Sequence, residues 1–332
     1  MSFTEVNSLD RGIDKADVLL ADVAEDFGTG DSRQADRVAR ARAHGQPRQD
    51  ATGDQVRTLT VCGRVLRVAV RGGNPQWPPL LLCNGIGASL DLLQPFVDAL
   101  DPRREVVRFD VPGIGRSPMP TVPYHLATMA PLMSGLLDQL GYQQADVLGI
   151  SWGGGLAQHF AVECPARVRR LVLVATSPGG LMVPGHPLAL LRMLVPRRHR
   201  DGGYAASIAG NLYGGSVRRN PALARELLHA TTGLVATRGF AYQLLATAGW
   251  TSLPLLPWLR QPTLILAGDD DPIIPVINAR VMHWLIPRSE LIVYHGGHLD
   301  LITEARRLAT IVEAFLTTET GPTARTRGGV TF

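Results

Sequence analysis

The chain has few of the features that mark fibrous, membrane-spanning or disulfide-framed proteins. Its three cysteines, Cys62, Cys83 and Cys164, are odd in number, widely spaced and form no CxxC pair. That excludes a disulfide framework and a cysteine-based zinc site and fits a reducing compartment. Uninterrupted apolar runs such as Leu171 to Ala175 fall far short of the roughly 18 residues that a bilayer-crossing helix needs. Lysine is nearly missing: Lys15 is the one lysine among 33 basic residues, and aromatics make up 6% of the chain. No basic stripe interleaved with aromatics exists, so the electrostatic footprint of nucleic-acid binding is absent. The net charge of +4 names no partner. What is present is 45% hydrophobic residues, 35 glycines and 24 prolines in 332 residues, the composition of a turn-rich globule with a sizeable core.

Residues 1–52 alternate acidic and basic side chains with few aromatics and lack the apolar stretch of a signal peptide. They bury too little apolar surface to offset their ordering entropy and are expected to form a mostly disordered extension. The texture changes at Val56, where two β-rich runs, Val56–Val61 and Val65–Val70, flank Cys62-Gly63, a hairpin signal. Short apolar runs then alternate with helical patterns: Leu80–Cys83 before Leu90–Leu100, Val106–Phe109 before Tyr124–Leu140, and Val147–Ile150 before Leu156–Glu163. Val168–Ala175, Thr263–Ala267 and Leu291–Tyr294 continue the series, and a helix over Leu301–Leu316 closes it. Continuous apolar strands separated by helices predict a mostly parallel sheet of about eight strands, covered on both faces. The rhythm breaks between Ala175 and Pro262 over a length no ordinary connection needs. The expected organisation is an α/β core at 53–180 and 261–318, an inserted helical cap at 181–260 and a flexible tail at 319–332.

Gly149-Ile150-Ser151-Trp152-Gly153 follows a strand and opens a helix, the context that a GxSxG nucleophile elbow requires. The turn strains the serine backbone and projects its hydroxyl above the sheet, and the flanking glycines let strand and helix approach. No GxGxxG and no Walker lysine support a phosphate cradle. A serine hydroxyl needs a histidine base and a carboxylate to orient the imidazole. Gly268-Asp269-Asp270-Asp271-Pro272 begins at the carboxyl end of a strand, where open α/β sheets collect their sites. The rigid Pro272 and Pro275 favour Asp271 as the inward carboxylate, with Asp269 and Asp270 read as a solvated turn. His298, after the flexible Gly296-Gly297, fits the base, with His295 as its rival; His125, His159 and His283 read as surface or packing residues. The order Ser, Asp, His is that of α/β-hydrolases. Asn84-Gly85-Ile86-Gly87 follows another strand, where the oxyanion loop of that fold lies, which makes the amides of Ile86 and Trp152 the expected oxyanion donors. Asp110, in Phe109-Asp110-Val111-Pro112-Gly113, reads as turn architecture.

With these residues in place, the chain from about 56 to 317 resembles the intracellular medium-chain-length poly(3-hydroxyalkanoate) depolymerases, a branch of the α/β-hydrolase family. The resemblance rests on Cys83-Asn84-Gly85-Ile86-Gly87-Ala88, with asparagine replacing the usual oxyanion-loop histidine, and on Ile150-Ser151-Trp152-Gly153-Gly154. Met182-Val183-Pro184-Gly185, Ala267–Pro272 with Ile274-Pro275, and the cap segments Tyr213-Gly214-Gly215 and Gly249-Trp250-Thr251-Ser252 extend it. It implies Ser151, Asp271 and His298 as a catalytic triad, no cofactor or metal, and cytoplasmic hydrolysis of a stored polyester to 3-hydroxyacids or oligomers, with association to the granule surface. The same fold and triad would equally serve a carboxylesterase or lactonase acting on small soluble esters. The long N-terminal extension lies outside the family pattern, and Asp300 brings a charge beside the base. The basic cluster Pro196–Arg200 reads as solvated.

Overall fold

A computed structural model describes residues 48–49, 53–195, 197, 201–223 and 237–318. The rest of the expected N-terminal extension, the tail beyond Thr318, and Pro196–Arg200 apart from Arg197 lie outside the described residues. Among those described, nine strands form one sheet: β1 (Arg48–Gln49), β2 (Gln55–Val61), β3 (Arg64–Arg71), β4 (Leu80–Cys83), β5 (Val106–Phe109), β6 (Ala145–Ile150), β7 (Val168–Val174), β8 (Thr263–Gly268) and β9 (Ser289–Tyr294). Their spatial order is β1-β2-β3-β5-β4-β6-β7-β8-β9. The β2–β3 hairpin turns at Cys62-Gly63, both at positive φ (46° and 74°), as a two-residue turn that follows strand twist demands. β3 joins β5 antiparallel, and every pair from β5 to β9 is parallel. The sheet thus matches the expected number plus the two-residue edge strand β1, which pairs with β2 and carries the sheet back to Arg48.

Burial on both faces explains the apolar runs of the central strands, which Arg108 of β5 and Asp146 of β6 interrupt as buried, ion-paired side chains. In β4, Leu81 and Cys83 face one core while Leu80 and Leu82 face the other; in β7, Leu171 and Leu173 oppose Val172 and Val174. Helices α1 (Gln94–Ala99), α2 (Leu126–Gln139), α3 (Trp152–Glu163), α4 (Pro187–Leu194), α5 (Gly202–Tyr213), α6 (Gly215–Arg219), α7 (Thr237–Ala246), α8 (Val276–Leu285), α9 (Asp300–Thr303) and α10 (Ala305–Thr317) follow in chain order. Side chains of α2, α3 and α8 fill the first core, and those of α1, α9 and α10 the second. α2 starts at His125, whose ring accepts a hydrogen bond from the Ala127 amide, a capping role close to the packing role expected of it. The helix expected over Leu301–Leu316 is two helices. Glu304 leaves helical geometry (φ −116°, ψ 35°), because α9 is held toward α6 through Asp300 while α10 lies along the sheet face.

Between β7 and β8 lie α4, α5, α6 and α7, in the stretch expected as a cap. Its base is closed by an antiparallel bridge between Gly179 and Thr251. Gln158 of α3, fully buried, donates to the carbonyls of Gly154 and Ser177 and accepts from Ser252 Oγ. No helix among the described residues is long and apolar enough to cross a membrane.

Candidate active site

The strand order places β4 between β5 and β6, so the chain leaves β4 in one direction and returns past it in the other. The carboxyl ends of these strands open into the crevice where such sheets bind ligands, and Ser151 follows the last residue of β6 there. Ser151 has φ 53° and ψ −119°, a conformation that costs a non-glycine residue roughly 1–3 kcal/mol. Its own amide donates to the Val174 carbonyl, and its carbonyl accepts from Gly154 N–H and Thr176 Oγ1. The glycines explain how the turn closes. A Cβ on Gly149 would strike the backbone of Gly153, and one on Gly153 would strike the backbone of Cys83 and Asn84.

His298 Nε2 lies 3.0 Å from Ser151 Oγ, and His298 Nδ1 lies 2.7 Å from Asp271 Oδ2. The structure therefore brings the three side chains singled out in sequence into one line. His298 is 6% exposed and Asp271 8%, so the imidazole and carboxylate interact away from bulk water while the serine faces the crevice. The second oxygen of Asp271 accepts from the amides of Ile273 and Ile274, which fixes the carboxylate plane. The neighbouring acids do other work. Asp269 meets His295 at 3.2 Å and accepts from Gly296 N–H; burial raises its pKa, yet these donors outweigh burial and hold it below the ordinary range. Asp270 accepts from Gly215 N–H and pairs with Arg218 at 2.5 Å. His295, the rival base, is thus occupied at an exposed position.

Asn84 shapes the loop after β4. Its side chain donates to the Ser89 carbonyl and accepts from Gly85 N–H, while Ala88 N–H donates to Gly85 O and Gly87 N–H to Gln243 Oε1. The amides of Ile86 and of Trp152, the latter at the first position of α3, donate to no described acceptor. A tetrahedral oxyanion formed on Ser151 is the chemistry that such amides suit. Asp110 instead holds a turn: its carboxylate accepts from the amides of Leu90 and Arg116, and its side chain fills the space where Gly115 would carry a Cβ. Burial raises its pKa. Among the described residues no group of three His, Cys, Asp or Glu side chains is arranged to hold a metal.

Two contacts from the end of α5 and from α6 reach the His298 loop and Asp300. The Tyr213 carbonyl accepts from His298 N–H at 2.8 Å, and its ring stacks on the imidazole with centroids 6.5 Å apart. Ser216 Oγ donates to Asp300 Oδ1 at 2.6 Å, with Asp300 fully buried. The glycines in Tyr213-Gly214-Gly215 exist for close approach, since a Cβ on Gly215 would strike Gly297 and one on Gly214 would strike Asp270. Likewise Gly185 lets Met182-Val183-Pro184-Gly185 lie on the acid loop at Pro272-Ile273. Sequence reasoning singled out these segments without giving them a role, and it missed Gln243, for which no local pattern exists.

A family model described as the alpha/beta hydrolase fold matches residues 78–305. The poly(3-hydroxyalkanoate) depolymerase of Ectopseudomonas oleovorans is 47% identical over 264 residues, which cover 79% of this chain and 93% of that protein. Among solved structures, the enol-lactonase of Burkholderia xenovorans superposes with a TM-score of 0.68 at 23% identity, covering 79% of this chain and all of that one. A thermophilic esterase of Thermogutta terrifontis gives 0.66 at 26% identity, covering 79% of this chain and 98% of its own.

Proposed function

The chain belongs to the α/β-hydrolase family, and from that premise we propose that it is a serine hydrolase cleaving the ester bonds of a medium-chain-length poly(3-hydroxyalkanoate) stored in the cytoplasm. The observation that carries the chemistry is the 3.0 Å and 2.7 Å pair of contacts joining Ser151, His298 and Asp271. The similarity to the Ectopseudomonas depolymerase supports the polymer, and the unpaired cysteines support a reducing compartment.

In this reading His298 Nε2 takes the proton from Ser151 Oγ as that oxygen attacks the ester carbonyl. Asp271, accepting from Nδ1–H, fixes the tautomer and stabilises the imidazolium. The amides of Ile86 and Trp152 hold the tetrahedral oxyanion, each donor worth roughly 3–4 kcal/mol in comparable chemistry. Collapse breaks the bond to the next monomer's oxygen, which leaves with the proton from His298. Water then gives a proton to His298 and attacks the acyl-enzyme, releasing a 3-hydroxyacid or oligomer and restoring the serine. The apolar cap side chains suit an alkyl-bearing chain, and contact with the granule surface follows from an insoluble substrate.

Product analysis from medium-chain polymer granules, wild type beside Ser151→Ala, tests the proposal. Wild type is expected to release 3-hydroxyoctanoate, and the variant to lose about 10⁴-fold or more of that rate. Hydrolysis confined to small soluble esters would assign the enzyme to the carboxylesterases or lactonases.

A further inference from the structure

Gln243, on α7, is 1% exposed and sits under the loop after β4. Its side-chain carbonyl accepts from Gly87 N–H at 2.6 Å, and its main-chain carbonyl accepts from the Trp152 indole N–H at 2.8 Å. One cap residue is thus bonded to both segments that carry the amides of Ile86 and Trp152. The rest of the loop is pinned from within the core: Gly85 N–H by the Asn84 side chain, and the Gly85–Ile86 peptide through Gly85 O, which accepts from Ala88 N–H. The Ile86–Gly87 peptide is held by Gln243. Gly87 has φ 72°, and a glycine there can rotate away at little steric cost once its partner is lost.

We propose that Gln243 is a positioning residue that assembles the oxyanion hole from the cap side, its side chain fixing the Ile86–Gly87 peptide and its backbone clamping the Trp152 indole. This rests on the reading of Ile86 and Trp152 as oxyanion donors to Ser151 chemistry. Gln243 touches no reacting atom and bonds neither donor amide; it holds the peptide that follows the Ile86 amide and the indole of the residue that carries the Trp152 amide. A displacement on the order of 1 Å in such groups costs about 100-fold in rate.

Gln243→Met keeps side-chain length and removes the acceptor, whereas Gln243→Glu keeps an acceptor oxygen. On a soluble p-nitrophenyl alkanoate, Gln243→Met is expected to lower kcat roughly 10- to 100-fold with KM within about threefold. Affinity for a trifluoromethyl ketone, which forms a tetrahedral oxyanion with the serine, is expected to fall by the same factor as kcat/KM. Gln243→Glu is expected to recover most of both. Trp152→Phe removes the other bond and is expected to weaken ketone binding in the same direction, which keeps the proposal testable if Gln243→Met does not fold. Thermal melts identify variants that fold. The proposal is overturned if folded Gln243→Met retains wild-type kcat and ketone affinity, or if Met and Glu variants fall equally. A wild-type enzyme that neither cleaves the ester nor binds the ketone, or a Ser151→Ala variant that does both, would defeat the hydrolase reading instead.

Discussion

Ser151 adopts backbone angles that its side chain disfavours, and the surrounding glycines make that conformation attainable. The space at these glycines is not equal. A Cβ at Gly153 would enter the backbone of Cys83 and Asn84, whereas one at Gly85 would meet Ser151 Cβ at 3.7 Å, an ordinary contact. Gly153→Ala is therefore expected to lose about 3 kcal/mol or more, at the upper end of overpacking costs, while Gly85→Ala loses under about 1 kcal/mol. Urea unfolding of the two variants measures the contrast, and equal losses would contradict the geometry. The GxSxG pattern was readable because its demands are local: tiny residues two positions either side of a strained turn. The carboxylate was harder to read, since three consecutive aspartates share one loop. What separates them is partners distant in the chain: His295 for Asp269, Gly215 and Arg218 for Asp270, His298 for Asp271.

At the level of elements, α6 is tied to α9 by the bond from Ser216 to the buried Asp300. Removing a donor from a buried carboxylate costs roughly 1–3 kcal/mol, so Ser216→Ala is expected to lower stability by about that amount, read as a fall in the urea midpoint at unchanged slope. A midpoint equal to that of wild type would show that Asp300 is satisfied otherwise. Strands β4 to β8 were legible because burial on both faces leaves them mostly apolar, with Arg108, Asp146 and Arg170 as buried charged exceptions, and α2 and α10 because they bury an apolar stripe. The break at Glu304 was not, since the apolar pattern runs through it from Leu301 to Leu316 and the tie that bends the chain comes from α6. The placement of β4 between β5 and β6 also leaves no local mark; it is a property of how crossovers run.

At the scale of the whole molecule, a pH response is expected away from the site. His159, on α3, is half-buried, accepts from the Trp250 indole at Nδ1 and meets Glu163 at 2.9 Å. Burial lowers its pKa below the ordinary imidazole value and outweighs the opposing carboxylate. With the folded pKa depressed, the unfolded chain binds more protons as pH falls below about 6.5, so stability is full above that value and declines from it toward the lower folded pKa. His159→Gln is expected to flatten the melting-temperature profile between about pH 7 and pH 5, and an unchanged slope would refute the assignment. The two handholds supplied by the stretch between β7 and β8 have a practical outcome for engineering. Gln243 grips the loop after β4, and Tyr213 with Ser216 grips the His298 loop and Asp300. A chimaera that replaces this stretch with a foreign one to change selectivity discards both grips, so the transplant is expected to need these three positions to keep its machinery aligned.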